Sequence, residues 1–274
     1  MDPTARHNVH VTGRRDGPTL LFAHGFGCDQ GMWRHVAPAF EGTHRVVLFD
    51  HVGAGGSNPT AFDPRRYSTL AGYAADVLDI ARAIGGPVTF VGHSVSAMIG
   101  LLAAAEEPGL FDRLVLVGPS PRYIDDEGYR GGFSQAEIDE LLETMDVNYL
   151  GWSAYIAPVI MGNPDAPHLG EELAGSFCRT DPAIARHFAK TTFLSDNRAD
   201  LARVTTPSLV VQCREDVIAP MEVGEYVHAH LANSELVVLD ATGHCPNLSA
   251  PEQLIATMTS YLTAAPHPAG VLSA

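Results

Sequence analysis

Short runs of apolar and β-branched residues recur along the chain, at Thr19–Ala23, Arg45–Phe49, Val88–Val91, Arg113–Val117, Ser208–Cys213 and Glu235–Leu239. Most are apolar throughout rather than at alternate positions, the pattern of strands buried on both faces of a parallel sheet. Between them the spacing becomes helical, over Leu70–Ile84, Val95–Glu106, Val223–Leu231 and Glu252–Leu262. Strands alternating with helices predict right-handed βαβ units and a mostly parallel, doubly wound α/β sheet.

The alternation breaks once. From about Pro119 to Ser195 no strand pattern occurs, and the spacing predicts four helices: Gln135–Met145, Tyr149–Met161, Gly170–Cys178 and Pro182–Phe193. Pro158, Pro164, Pro167 and Pro182 punctuate them. The expected organisation is a core of residues 1–118 and 196–274 with a helical lid over 119–195. Inserted elements at the C-terminal edge of a sheet commonly cover the binding crevice. The alternative is a helical decoration without a role. No internal repeat is found.

Composition narrows the partners. The chain has 274 residues, 46% of them hydrophobic, enough for one large α/β domain or one domain with an insertion. Lys and Arg total 17 against 32 Asp and Glu, a formal charge of -15. Such a surface repels phosphate backbones and anionic lipid, so neither nucleic acid nor a membrane surface is an expected partner. The first residues, MDPTARHNVHVTG, hold no apolar signal region, and no apolar run reaches the roughly 18 residues of a spanning helix. Cys28, Cys178, Cys213 and Cys245 lack C-x-x-C spacing and read as reduced thiols of a cytoplasmic protein. The histidines are scattered without H-E-x-x-H, so neither a metal nor another cofactor is expected.

The densest local signal is Val88-Thr89-Phe90-Val91-Gly92-His93-Ser94-Val95-Ser96. A buried strand would end at Gly92 and a helix begin at Val95. That strand–turn–helix context is what a nucleophile elbow needs, since it lifts the Ser94 hydroxyl above the sheet edge at a helix N-terminus. The pattern is G-x-S-x-G except that Ser96 holds the last position, where a small residue still permits close packing. A plain helix N-cap is the competing reading of Ser94. A serine needs a base, and the acid and the histidine follow it in chain order in hydrolases of this type. The strand Ser208–Cys213 runs into Arg214-Glu215-Asp216, where Asp216 is the expected acid and Glu215 its competitor. The strand Glu235–Leu239 is followed by Gly243-His244-Cys245-Pro246, and His244 is the expected base. His228 and His230 fall within a helical pattern. Two convergent N–H groups must hold the oxyanion. Val95, after the nucleophile, is one candidate, and Phe26, in His24-Gly25-Phe26-Gly27, is the other. The Gly-rich stretch Asp50–Ser57 lacks a phosphate-loop ending and reads as a structural turn.

With those residues in view, the chain resembles the RsbQ-type α/β-hydrolases, the group of RsbQ and the plant strigolactone and karrikin receptors. The likeness is carried by H-G-F-G at 24–27, F-D-x-V-G-x-G-x-S at 49–57 and V-G-H-S-V-S-A-M-I-G at 91–100. It continues through Tyr129–Phe133, Asn148–Trp152, Phe193–Asp196 and Gly243–Pro251, and spans about residues 8–262. Phe177–Pro182 looks closer to the bacterial branch. The resemblance implies an α/β-hydrolase fold with a four-helix lid over a deep apolar pocket. It carries the triad onto Ser94, Asp216 and His244, and the oxyanion donors onto Phe26 and Val95. It suggests a pocket lined by Phe26, His93, Phe133, Trp152, Ile156, Phe193 and Ile218. It also accommodates Ser96, and it marks Asn247, where the family usually has His, as a change near the pocket mouth.

Two functions follow. The first is hydrolysis of a small, largely apolar ester or lactone through an acyl-serine. The second, implied by the resemblance, is a stress-signalling ligand sensor with slow or single-turnover chemistry, acting through a partner phosphatase. Dehalogenase chemistry would need a carboxylate at position 94. Cofactor-free haloperoxidase and hydroxynitrile lyase chemistry use a similar triad.

Overall fold

The computed structural model describes residues 1–264; the last ten positions of the expected core, 265–274, lie outside the described residues. Seven strands form one sheet: β1 (His10–Gly13), β2 (Thr19–Ala23), β3 (Arg45–Phe49), β4 (Val88–His93), β5 (Phe111–Val117), β6 (Ser208–Glu215) and β7 (Ser234–Thr242). Their order is β1-β3-β2-β4-β5-β6-β7, parallel throughout except for β1, which pairs antiparallel with β3. The expected apolar runs supply β2 to β7. Leu20, Leu21, Phe22 and Ala23 of β2 are fully buried, as are Leu114 to Val117 of β5. Each Leu, Val or Phe among them contributes about 1.5–3 kcal/mol by leaving water, and the sheet can supply this burial only when both faces are covered. The edge strand β1 escaped the sequence pattern because all four of its residues are exposed.

Besides five short 3-10 segments, the described chain has ten α-helices: α1 (Pro3–Arg6), α2 (Leu70–Ile84), α3 (Val95–Glu106), α4 (Gln135–Val147), α5 (Tyr149–Met161), α6 (Pro167–Arg179), α7 (Pro182–Phe193), α8 (Met221–His230), α9 (Pro246–Ser249) and α10 (Pro251–Thr263). Two apolar clusters lie on the two faces of the sheet. One takes Val77 and Ile80 from α2 and Met98 and Leu101 from α3. The other takes Leu254 and Met258 from α10, together with Trp152, Leu173, Phe177 and Phe193 from α5, α6 and α7.

Helices α4 to α7 fill the interval between β5 and β6, where the sequence pattern showed no strand. α4 opens on a capping box, in which the Ser134 hydroxyl accepts from Glu137 N–H and the Glu137 carboxylate accepts from Ser134 N–H. Asp181 caps α7 by accepting from the N–H groups of Ala183 and Ile184. α6 is fastened to the core loop below it. The Ser176 hydroxyl donates to Gly27 O at 2.9 Å, and Arg179 and Arg34 pair with Asp29 and Glu172 at 2.9 and 2.6 Å.

The Gly-rich stretch after β3 is a turn built around Asp50. Its carboxylate accepts from Asn8 Nδ2, Gln30 N, Gln30 Nε2 and Gly56 N.

The chain places β3 on one side of β2 and β4 on the other, so strand order reverses between β2 and β4. Crevices at such reversals, beyond the strands' C-terminal ends, are where α/β sheets bind ligands. The pairing Ala23↔Gly92 brings the loop after β2 beside the turn after β4. Farther along, Glu215↔Thr242 brings Asp216 beside Gly243 and His244.

Candidate active site

Ser94 sits at the turn between β4 and α3 with φ 56° and ψ −124°, one of two non-glycine residues at positive φ in the described chain. An L-residue held there stores strain of order 1–3 kcal/mol, which surrounding structure must hold in place. Ser94 N–H donates to Val117 O at 2.8 Å, and Ser94 O accepts Ala97 N–H at 2.9 Å. The strand and helix close tightly around the turn. A Cβ at Gly92 would lie 2.5 Å from Ser96 O, and one at Gly25 would lie 2.5 Å from His93 Nδ1.

The three expected triad residues converge. Ser94 Oγ is 2.7 Å from His244 Nε2, and His244 Nδ1 is 2.7 Å from Asp216 Oδ2. Ser94, Asp216 and His244 are all buried. Asp216 can only accept, so Nδ1 of His244 carries the proton and Nε2 is free to accept from the Ser94 hydroxyl. The other Asp216 oxygen accepts from the N–H groups of Ile218 and Ala219 at 2.8 and 3.0 Å. Burial alone would raise the Asp216 carboxyl; the His244 charge and hydrogen bond, with those two N–H groups, outweigh it and hold the carboxyl below the usual range. Glu215, the competing acid, points elsewhere and accepts from the Thr242 hydroxyl at 3.2 Å.

Both ends of the His244 backbone are held. Its N–H donates to Ile160 O, near the end of α5, at 2.9 Å. Its C=O accepts from His93 Nε2 at 2.7 Å. Burial, and then the neighbouring His244, push His93 down to about 3, so that ring is a neutral clamp. Asn163, just past α5, donates to Met161 O and to Thr242 O at 2.9 Å, a second tie between α5 and the histidine loop.

Above Ser94 lies a cavity of about 40 Å³. Phe26, Cys28, His93, Ser94, His244 and Cys245 line it from below, with Tyr123 and Ile218 at the sides. Ile160 of α5, Leu173 and Phe177 of α6, and Thr192 and Phe193 of α7 close it from above. Of the expected pocket residues, Phe26, His93, Phe193 and Ile218 are at this wall. Phe133, Trp152 and Ile156 are not. Trp152 is not among the lining residues but packs on two of them, its ring 5.3 Å from Phe177 and 6.2 Å from Phe26. Phe133 is half-buried, and its backbone bonds to Tyr123 and Asp125. Ile156 packs in the cluster one helical turn before Ile160, which takes the wall position. Asn247 is not at a pocket mouth either. It is fully buried and donates through Nδ2 to Met32 O at 2.9 Å.

The cavity is chemically quiet apart from the triad. Burial pushes the Cys28 thiol and the Tyr123 phenol each up to about 12, and the Cys245 thiol well above its ordinary range. All four cysteines are free thiols, and of these only Cys178 is exposed. Among the described residues no cluster of His, Cys, Asp and Glu is arranged to hold a metal, and no helix is long and apolar enough to cross a membrane.

The wall residues missed from sequence had faint signals. Cys28 directly follows the loop His24–Gly27 and Cys245 directly follows His244, and Phe177 begins the stretch read as closer to the bacterial branch. Nothing in the spacing marks Tyr123, because it lies on a loop whose path is set by tertiary bonds.

The chain is similar to proteins of known kind over nearly its whole length. Residues 20–257 match the model of the alpha/beta hydrolase family. A probable esterase of Oryza sativa subsp. japonica is 42% identical over 258 residues, covering 93% of this chain and 95% of that one. A strigolactone esterase of Arabidopsis thaliana is 43% identical over 249 residues, 90% of this chain and 92% of that one. A solved hydrolase from Oleispira antarctica superposes with a TM-score of 0.94 at 39% identity, covering 96% and 97% of the two chains. The expected leaning toward the bacterial branch gives way here. The plant esterases stand at 42% and 43%, against 26% for a bacterial pimeloyl-[acyl-carrier protein] methyl ester esterase from Nitrosomonas europaea. Fold, site geometry and similarity agree: this chain belongs to the alpha/beta hydrolase family and is a hydrolase of its esterase kind.

Proposed function

We propose that the protein cleaves a small, largely apolar ester or lactone through an acyl-serine at Ser94. The observation that carries this reading is the unbroken 2.7 Å chain from Ser94 Oγ through His244 to Asp216, opening on an apolar cavity. Ser94 Oγ attacks the carbonyl carbon while His244 Nε2 takes the hydroxyl proton. The carbonyl oxygen becomes an oxyanion that accepts from Phe26 N–H and Val95 N–H. As the tetrahedral species collapses, the C–O bond to the leaving group breaks, and His244 delivers the proton to the departing oxygen. Water, deprotonated by the same Nε2, then attacks the acyl-serine and restores Ser94. Asp216 fixes the histidine tautomer and stabilises the imidazolium. For a lactone, the leaving oxygen stays attached to the acyl group until water releases both.

Helices α4 to α7 act as a lid. A 40 Å³ space holds only a few waters, so the wall that α5, α6 and α7 form over Ser94 must open to admit a carbonyl substrate. A sensor role is favoured by one observation: the lid helix α5 bonds directly to His244 N–H. In that role one ligand is turned over slowly, the lid changes position, and a partner phosphatase reads it. The esterase names of the plant relatives support the first reading. Three buried free thiols suit a reducing compartment, and the reading places the protein in the cytoplasm.

Turnover of 4-nitrophenyl acetate by wild type and Ser94→Ala tests the chemistry. The variant is expected to lose about three decades or more of kcat, as when a triad acting as a unit loses its nucleophile. Equal rates would sink the mechanism. Many esters turned over in excess of enzyme favour metabolism; a single turnover of one ligand with lid movement favours sensing.

A further inference from the structure

The loop from His24 to Phe26 presents two peptide groups to the site, and the partners of each can be followed. In the first, His24 O accepts from Ser96 Oγ at 2.5 Å and Gly25 N–H points to Met32 Sδ at 3.4 Å. In the second, Gly25 O accepts from His24 Nδ1 at 2.9 Å and from Cys28 N–H at 3.3 Å. Its other end, Phe26 N–H, donates to no group among the described residues. A trans peptide is planar, so its N–H points away from its C=O. Donors gathered on Gly25 O therefore aim Phe26 N–H in the opposite direction.

The protons in this network are fixed by its geometry. His51 N–H donates to His24 Nε2 at 3.0 Å, which leaves the His24 proton on Nδ1, where Gly25 O needs it. Ser96 has one hydroxyl proton and spends it on His24 O, so His51 Nε2, at 2.7 Å, must donate to Ser96 Oγ. His51 Nδ1 is then a bare buried acceptor without a partner. An orphaned buried polar atom is costly, so its presence calls for a reason. His24, His51 and Ser96 are all buried.

We infer that Ser96 and His51 are positioning residues of the oxyanion hole, acting through His24 to lock the Gly25–Phe26 peptide with its N–H toward the reacting carbonyl. The serine that interrupts G-x-S-x-G thus joins the helix carrying one oxyanion donor, Val95, to the loop carrying the other, Phe26. Burial also pushes both His24 and His51 below their ordinary range, which keeps the network in one protonation state.

This inference rests on the hydrolytic reading of Ser94. Ser96→Ala removes the hydroxyl and adds no bulk; His51→Phe keeps the ring packed on Phe49 and Tyr73. Ester turnover and inhibition by a boronic acid, whose adduct on Ser94 places an oxygen in the hole, are measured for each. A misaimed donor is expected to lower kcat about tenfold to a hundredfold and to weaken the boronate by the same factor, with KM moving about twofold at most. Ser96→Ala with kcat within about twofold of wild type, or with kcat lowered but boronate affinity kept, would overturn the assignment. Failure of both variants to fold would make the pair packing elements and overturn it too. Activity surviving in Ser94→Ala would remove the underlying reading instead, so the two failures are told apart.

Discussion

Ser94, Asp216 and His244 are legible in the sequence because each is bound to its neighbours along the chain. The elbow needs Gly92 and a following helix, the acid directly follows a strand, and the histidine follows the next one. Side chains that act across long sequence distances were harder. Ser96 was legible only as a small residue, yet its hydroxyl bonds His24 O, 72 positions away. Asn247 looked like a change at the pocket and proved to be a buried tie to Met32. The thiols at the cavity wall give a test at this scale. Burial pushes Cys28 up to about 12 and Cys245 well above its ordinary range, so neither forms the thiolate that attacks an alkylating agent. Iodoacetamide at pH 8 is expected to add one group, at the exposed Cys178, and to leave turnover unchanged. Intact-mass measurement beside an activity assay checks this. Activity lost in step with a second adduct would show that a cavity thiol is reached.

Strands and helices were legible where burial imposes a period. α2, α3, α5 and α7 begin and end where the apolar spacing predicts. β1 was invisible because an edge strand of four exposed residues has no such period. In α5 the inner face could not be read, since Leu150, Tyr155 and Val159 on its outer side are as apolar as the residues it buries. Ile156 and Ile160 are equally plausible on spacing alone; only packing against α6 puts Ile160 at the wall. The end of α5 makes its own prediction. Asn163 joins Met161 O to Thr242 O, and each such bond contributes about 0.5–1.5 kcal/mol net. Asn163→Ala is expected to lower Tm by roughly 2–6 °C and kcat by a factor of about 3–10 through a looser His244. Calorimetry and steady-state kinetics check both. An unchanged Tm with an unchanged kcat would show the bridge to be idle.

At the scale of the molecule, most ion pairs lie at the surface, but one carboxylate outside the site is buried among cations and contributes to acid stability. Asp76 of α2 is fully buried and accepts from Arg6, Arg66 and the Tyr67 hydroxyl, with His7 at 3.6 Å. Burial would raise its carboxyl; His7, Tyr67 and Arg66 together outweigh burial and hold it at about 2, against an ordinary 3.8. A carboxyl depressed by folding stabilises the fold fully above its unfolded value, and that share is lost as pH falls from about 4 toward 2. The difference is roughly 2.5 kcal/mol, taking about 1.4 kcal/mol for each of the 1.8 units between 3.8 and about 2. Asp76→Asn is expected to lose at least that at pH 7 and to show a flatter decline between pH 4 and 2.5, measured by urea unfolding. Parallel pH profiles would show that Asp76 contributes no such linkage. The 2.9 Å bond from His244 N–H to Ile160 O has a thermodynamic corollary at this scale. Binding free energies are reciprocal. On the proposed sensor reading, a macromolecule that grips helices α4 to α7 in one arrangement alters the hold on the ligand by the same factor by which that ligand alters its grip. Whatever the second molecule is, one equilibrium constant describes both effects, and measuring either reports the other.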